Sequence, residues 1–442
     1  MTNVGELELA PTGGGARIDL LDMLRGIAIL GILYINVPYM AAPVWQFTSG
    51  DMRGIGWGAT DEAAWAGVEL LLAGTMRCLL EFLFGAGMML MARKAMAPDG
   101  PVAVSDLYYR RNLWLLGFGL IDVFVLLWPG DILHIYALAA LFLFPFRRLA
   151  AKWLVAIGLV WPLLFAIGIP DNGVRGYLDR ATLTAQVEAA RRHAAGGAAL
   201  TAPEVAAVQR WRMLERRGHD PQTLRHEAEE RQAHSGPVAA YLKRAWGLWS
   251  LWTQQWLVWN VVEAFCTMSI GVALWKWGVI QGARGRRFYL ALMVVGYGFG
   301  LTARGFGLAE MLDPQPVARS IWITGEAARL SMGLGHVALI NLLVRDRWGA
   351  RLLNPFKAAG RMAFSLYFLQ QLVGMWLLFA PWGLVAWGRL GWGAMAGVAT
   401  AMAAGELVLA ALWLRYFTSG PLEWLWRSLA YLRVQPLLRK AG

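Results

Sequence analysis

The chain has 442 residues, 57% hydrophobic and only 16% charged, with a mean hydropathy of +0.45. Soluble domains carry about 25% charged residues. Here apolar runs of roughly 18 residues or more recur along the chain, which excludes an ordinary water-soluble enzyme and implies a polytopic membrane protein. The net charge of +12 is spread over the short polar stretches between those runs. That is the pattern of basic loops on the cytoplasmic side of a membrane, and it leaves no basic domain for nucleic acid. Cys78 and Cys266 both lie in apolar runs, so neither a disulfide framework nor a paired-cysteine metal site is expected.

Residues 1–16 hold two glutamates and no Lys or Arg. This is a poor start for a cleavable signal, so they read as a flexible segment ahead of a retained first span. The hydropathy pattern predicts an all-α bundle of about ten spans, at roughly 20–42, 66–92, 112–129, 131–147, 152–169, 257–277, 288–308, 320–344, 362–381 and 395–416. Lys and Arg concentrate in alternate loops, which places both termini in the cytoplasm. The expected organisation is a transmembrane bundle over 17–170, a polar helical insertion on the far side over 171–245, and a second bundle over 246–442.

The first span, RIDLLDMLRGIAILGILYIN, opens with Asp22 and Arg25 three residues apart, where they can pair. Asn36 follows Arg25 by eleven residues, so it points the same way about 16 Å further along. Two readings stand open: a polar stripe lining an internal path, or an ion pair locking the helix with Asn36 as glue between helices. On the second span Arg77 and Glu81 read as a mutually neutralising pair. The third and fourth spans meet at LLWPGDILHIYAL. Pro129 and Gly130 make the turn, and Asp131 is suited to cap the next helix. His134 lies one turn deeper, where the Asp131 carboxylate can orient its imidazole. His134 is read either as a general base or as a hydrogen-bonded core histidine.

The insertion carries TAPEVAAVQRWRMLERRG, with Thr201 and Pro203 as helix-start signals. His193, His219, His226 and His234 are scattered without metal-ligand spacing, and no metal is expected. In AYLKRAWGLWSLWTQQWLVWN, Trp246, Trp249, Trp252, Trp256 and Trp259 recur every three or four residues. This predicts one helix in or entering the membrane interface, with the insertion as a lid, or else a Trp-rich stripe that simply faces lipid. Further along, Glu263 follows Asn260 on the sixth span. Glu326, Arg329 and His336 fall on the eighth, Arg329 and His336 sharing a face. On the ninth, Arg361 and Ser365 share a face, with Gln370 and Gln371 deeper. So many polar groups inside a membrane imply a water-containing interior or a bound polar ligand.

Five stretches in order resemble the YeiB-like family, whose C-terminal part is domain of unknown function 418. They are RIDLLDMLRGIAILGILYIN, CLLEFLFGAGMML, YYRRNLWLLGFGLIDVFVLLWPGDILHIYAL, NPFKAAGRMAFSLYFLQQL and SGPLEWLWRSLAYL. The resemblance covers nearly the whole chain outside 171–244. That family looks like a branch of the transmembrane acyltransferase superfamily, which includes the heparan-glucosaminide N-acetyltransferases. The resemblance implies transfer of an acyl group from cytosolic acyl-CoA, acetyl-CoA among them, to an acceptor across the membrane. It matches Asp22, Arg25 and Gly26 to an Asp-x-x-Arg-Gly motif and Asn36 to a later asparagine. The acetyltransferases have a catalytic histidine about a dozen residues beyond that asparagine. Here the stretch reads VWQF, Val44 to Phe47, and Asp122 stands where many YeiB-like chains have histidine.

The expected function is therefore an acyltransferase of the bacterial inner membrane. His134 is the base, Asp131 orients it, and Asn36 stabilises the oxyanion. Asp22, Arg25, Arg361, Arg329 and His336 hold the acyl-CoA. The expected partners are membrane lipids, a glycan or lipid-linked hydroxyl or amine acceptor, and a second copy in a homodimer. The alternatives are a transporter or flippase for a polar or lipid-linked solute, and a non-catalytic sensor reading through the insertion.

Overall fold

The computed structural model describes residues 19–48, 52–93, 102–216, 221–250, 254–313, 315–385 and 387–439. The fold is all-α. Six helical stretches among these residues are long and apolar enough to cross a membrane: Asp19–Ala41, Ala59–Ala92, Gln254–Lys276, Arg286–Leu312, Ile321–Val344 and Trp392–Tyr416. The other four expected spans fall on shorter or more polar helices, and several spans are interrupted.

The first span is α1 (Asp19–Gly31) followed by α2 (Leu33–Ala41). The second is α3 (Ala59–Leu71) and α4 (Thr75–Ala92), broken at Gly74, whose φ is +66°. The third, α5 (Val102–Phe124), starts ahead of the expected 112 and carries Arg110 and Arg111 on its first turns. The fourth is only α6 (Leu133–Leu143) and a 3-10 turn, and the fifth is α7 (Ala151–Gly158) with α8 (Val160–Ile167). The insertion forms α9 (Gly173–Ala195), α10 (Ala202–Glu215), α11 (Pro221–Ser235) and α12 (Val238–Leu248). Thr201 and Glu204 close a capping box at the start of α10, as its sequence predicts.

The second bundle comprises α13 (Leu257–Lys276), α14 (Arg286–Leu312), α15 (Ile321–Val344), α16 (Arg347–Arg361), α17 (Ala363–Gln371), α18 (Trp392–Tyr416) and α19 (Pro421–Tyr431). Asp346 caps α16 by accepting from Trp348 and Gly349 amides. α16 and α17 break at Met362, and α17 runs on into a π-helical turn, Leu372–Leu378.

The two bundles interlock through close helix crossings. A Cβ on Gly26 would lie 2.0 Å from the Phe356 carbonyl oxygen, and one on Gly360 1.7 Å from that of Asp22. Only glycine lets α1 and α16 approach this closely, which gives the Arg-Gly of the first span a packing role. The SGPLEW segment clasps the start of α17. Glu423 accepts from the Phe364 and Ser365 amides and from the Ser365 hydroxyl, satisfying donors that a helix N-terminus leaves open.

The described tryptophans of this stretch do not share one packing surface. α12 ends at Leu248 and a short 3-10 turn, Gln254–Trp256, precedes α13. Trp246 and Trp249 pack on Phe124, whereas Trp259 meets Trp161. Trp252 and His219 lie outside the described residues.

The insertion sits across one end of the bundle. Glu230 accepts from the Val44 amide at 3.1 Å, Gln46 donates to Glu227, and the His234 ring stacks on Trp387 with centroids 3.7 Å apart. Tyr241 donates to the Met375 carbonyl. Burial raises the Glu230 carboxyl to about 7 and lowers the His234 imidazole to about 4, with Glu227, Arg231 and Arg244 as the neighbouring charges. The two act in opposite directions. Glu230 contributes to docking fully below its ordinary 4.5 and loses that contribution as pH rises through about 7. His234 contributes fully above its ordinary 6.5 and loses it as pH falls through about 4. Hydrogen exchange over residues 221–248 is therefore expected to be nearly flat with pH in the wild type across the overlap. Protection in Glu230→Gln should rise from acid to neutral pH, and in His234→Phe it should fall. Identical profiles in all three proteins would refute this account.

Candidate functional site

Three polar clusters occupy the bundle. The first surrounds the turn between α5 and α6. Asp131 accepts from the Leu133 and His134 amides at 3.1 and 2.9 Å, so it holds the open end of α6 as the sequence predicts. Its Oδ2 lies 2.6 Å from His134 Nδ1. A carboxylate can only accept, so Nδ1 carries a proton, which leaves Nε2 as the ring nitrogen open to another partner. Nε2 is buried with no hydrogen-bond partner. Tyr367 of α17 donates to Asp131 Oδ1 at 3.2 Å and accepts from the Ile132 amide. Asp122 of α5 is fully buried and faces the same carboxylate. Neither of its oxygens has a protein donor. Gly119, one turn before Asp122, lets α5 meet the start of α6: a Cβ there would lie 2.4 Å from the His134 amide nitrogen.

The second cluster gathers basic groups at the opposite end of α5. Arg111 stacks on the Trp426 ring at 4.3 Å. It hydrogen-bonds Tyr431 and lies within electrostatic range of Arg427 and Arg25. Arg25 pairs with Asp22 at 2.9 Å and reaches the Gly360 carbonyl, while Arg361 donates to the Thr418 carbonyl. Asp22 and Arg25 thus meet the end of α16, whose last residue is Arg361. Arg111, Arg427 and Trp426 complete the cluster. Each of these lies far away in the chain and reads, in sequence, as a loop charge or a span-end aromatic.

The third cluster is an ion network. Arg329 donates to Glu81 at 2.9 Å, Glu326 at 2.9 Å and Thr267 at 2.9 Å, and pairs with Glu263 at 2.7 Å. Arg77 pairs with Glu263 and lies 3.6 Å from Glu81. The expected Arg77–Glu81 pair is therefore part of a five-member network tying α4, α13 and α15 together. Arg329 is committed to three carboxylates, which removes it from the expected acyl-CoA group. His336 is removed as well, because its Nδ1 donates to the Met332 carbonyl at 2.9 Å and it faces Tyr297. The two side chains share a face of α15 in register, yet the helix presents one to α4 and α13 and the other to α14.

Asn36 is buried on α2, with Nδ2 unpartnered. The face between it and Arg25 carries the buried apolar Ile29 and Ile32, so no continuous polar stripe runs along the first span. On α5 the same is true of the face between Arg111 and Asp122, which carries the buried apolar Leu115 and Phe118, the latter packed on Phe364 of α17. Arg111 and Asp122 are eleven residues apart on α5, about three turns, and so share a face about 16 Å apart. On α17 Tyr367 and Gln371 share a face, and both polar atoms of buried Gln371 lack partners. Among the described residues no group of three or more His, Cys, Asp or Glu could hold a metal ion.

Fold and clusters together define a polytopic α-helical membrane protein with a buried histidine–carboxylate site at one end and an arginine-rich mouth at the other. Residues 274–433 match the family model described as "Protein of unknown function (DUF418)". The chain is 29% identical to the uncharacterised protein YxaH of Bacillus subtilis (strain 168), over 98% of both chains. It is 26% identical to the uncharacterised protein YeiB of Escherichia coli (strain K12), over 96% of this chain and 98% of that one. No solved structure matches. Over nearly its whole length the chain is thus similar to the uncharacterised YxaH and YeiB, and its residues 274–433 match DUF418.

Proposed function

We propose that this protein is an integral-membrane acyltransferase of the bacterial inner membrane. It moves an acyl group from cytosolic acyl-CoA to a hydroxyl or amine acceptor on the far side, which carries the insertion. The observation that carries this reading is the His134 ring, held by Asp131 at 2.6 Å with a buried, unpartnered Nε2. A base so oriented takes the acceptor's O–H or N–H proton as the acceptor oxygen or nitrogen attacks the thioester carbonyl. Collapse of the adduct breaks the C–S bond, and the proton passes from Nε2 to the departing thiolate. Asn36 Nδ2 is the donor assigned to the developing oxyanion. At the arginine mouth, Arg25, Arg111, Arg361 and Arg427 suit phosphate groups, and Trp426 offers a flat platform for a base.

Acyl-CoA binding tests the donor half. On purified protein, acetyl-CoA, a long-chain acyl-CoA and free CoA are expected to raise the Tm saturably, with stabilisation of about 2.7 kcal/mol at a hundred times Kd. Arg111→Ala and Arg25→Ala should abolish the shift. If no CoA species shifts a folded sample, the donor site is lost and with it the reaction.

A second reading, a transporter of a polar solute, draws on the helix interruptions at Gly74 and Met362 and on the π-helical turn, since transporters bind substrates at broken helices. Solute counterflow in proteoliposomes without any acyl donor would favour it.

A further inference from the structure

A cleft of about 480 Å³ lies between α14 and α15, lined by Gly298, Thr302, Phe306 and Glu310 of α14 and by Ser320 at the head of α15. The four α14 residues recur every fourth position and form one stripe. From Gly298 to Glu310 the stripe runs about 18 Å, close to the depth of one leaflet in a hydrocarbon core about 30 Å thick. The cleft opens on a face meant for lipid: Val294, Val295 and Phe306 are 65%, 69% and 66% exposed. Its deep end is roomy, because a Cβ added at Gly298 would meet nothing within 4 Å.

The shallow end, beside the insertion, is polar. Glu310 Oε2 accepts from the Ser320 amide at 2.6 Å and from its hydroxyl at 2.8 Å. Arg319 adjoins this group, with Glu310 and Asp313 as its charged neighbours. An acid and a base side by side complement a headgroup bearing both charges, the ammonium toward Glu310 and the phosphate toward Arg319.

We propose that this cleft is a binding site for one zwitterionic aminophospholipid of the leaflet on the insertion side, with an acyl chain along the α14 stripe and the headgroup across Glu310 and Arg319. The site is separate from the His134 cluster and stands whether or not acyl transfer occurs.

The test uses the full chain in nanodiscs of phosphatidylethanolamine and phosphatidylglycerol. Each lipid is supplied in turn with a photoactivatable diazirine on its acyl chain, and crosslinked peptides are mapped. Phosphatidylethanolamine should label residues 298–306 about tenfold above other lipid-facing helices, the ratio expected for a site favoured by one decade in affinity. Gly298→Trp should return that labelling to the general level by filling the deep end. Ala303→Leu serves the same purpose should the tryptophan variant lose its monodisperse peak. Glu310→Gln should erase the preference over phosphatidylglycerol. Uniform labelling of all lipid-facing helices, labelling that survives both filling variants, or equal labelling by the two lipids would each overturn the proposal.

Discussion

Arg329→Met is expected to lose most of its folded population in detergent. Arg329 bonds Glu81, Glu326 and Thr267 and pairs with Glu263, all within a buried network whose other cation is Arg77. With Arg329 gone, three carboxylates face one guanidinium where water cannot solvate them. Breaking a buried pair by removing one partner costs about 3–5 kcal/mol, a large share of a typical folding free energy. The readouts are the Tm and the fraction eluting as a single species. A second change separates charge from lost packing: Glu81→Gln placed on top of Arg329→Met should recover part of the loss, because it removes a stranded charge while keeping the side-chain volume. A wild-type Tm for the single variant would show that the network holds nothing together.

Loss of chemistry with the fold intact is expected for His134→Gln. If Nε2 is the base, release of CoA thiol from acyl-CoA in the presence of acceptor should fall by about 10²–10⁴-fold. The Tm shift with acyl-CoA should persist, because the arginine mouth lies at the far end of α5. Asp131→Asn refines the assignment. An asparagine has one acceptor oxygen, and with that oxygen on the Leu133 amide α6 keeps part of its cap. Presenting its amide N–H to Nδ1 instead would favour the other tautomer and block Nε2 with a proton. A loss comparable to His134→Gln is the expected result. Full turnover in His134→Gln would exclude this histidine as the base and return it to a packing role.

What could be read in the sequence divides along the range of the interactions. Asp131 and His134 are three residues apart, next to a Pro-Gly turn, so their pairing is local and legible. The same holds for Asp22 with Arg25 and for the capping box at Thr201. Groups whose partners come from distant helices were visible only as unexplained charges in apolar runs. Glu263 and Glu326 stand out as charges in apolar runs, yet nothing in their spacing says that both point at Arg329. Arg304 in the seventh span has no local partner, and only the fold shows it donating to the Glu69, Leu70 and Ala73 carbonyls at the end of α3. Glu423 likewise reads as an ordinary acidic residue near a helix start, whereas it holds the first amides of another helix. Periodicity misled where a helix breaks. It aligns Trp246 and Trp249 with Trp259, which pack on different partners, and it pairs Arg329 with His336 by face although each meets a different neighbour.

The hydroxyl of Tyr367 rests on Asp131, and this joins two regions that domain boundaries would separate. Tyr367 belongs to the stretch matched by the DUF418 model, while Asp131, His134 and Asp122 all precede it. Glu423 and Trp426 act in the same way, the first by fixing the helix that carries Tyr367 and the second by stacking on Arg111. The matched stretch thus shares both of these clusters with the part of the chain that precedes it. Neither half holds a complete set of groups at either end of the bundle. Exchanging one half of this chain alone would therefore mismatch both the histidine cluster and the arginine cluster.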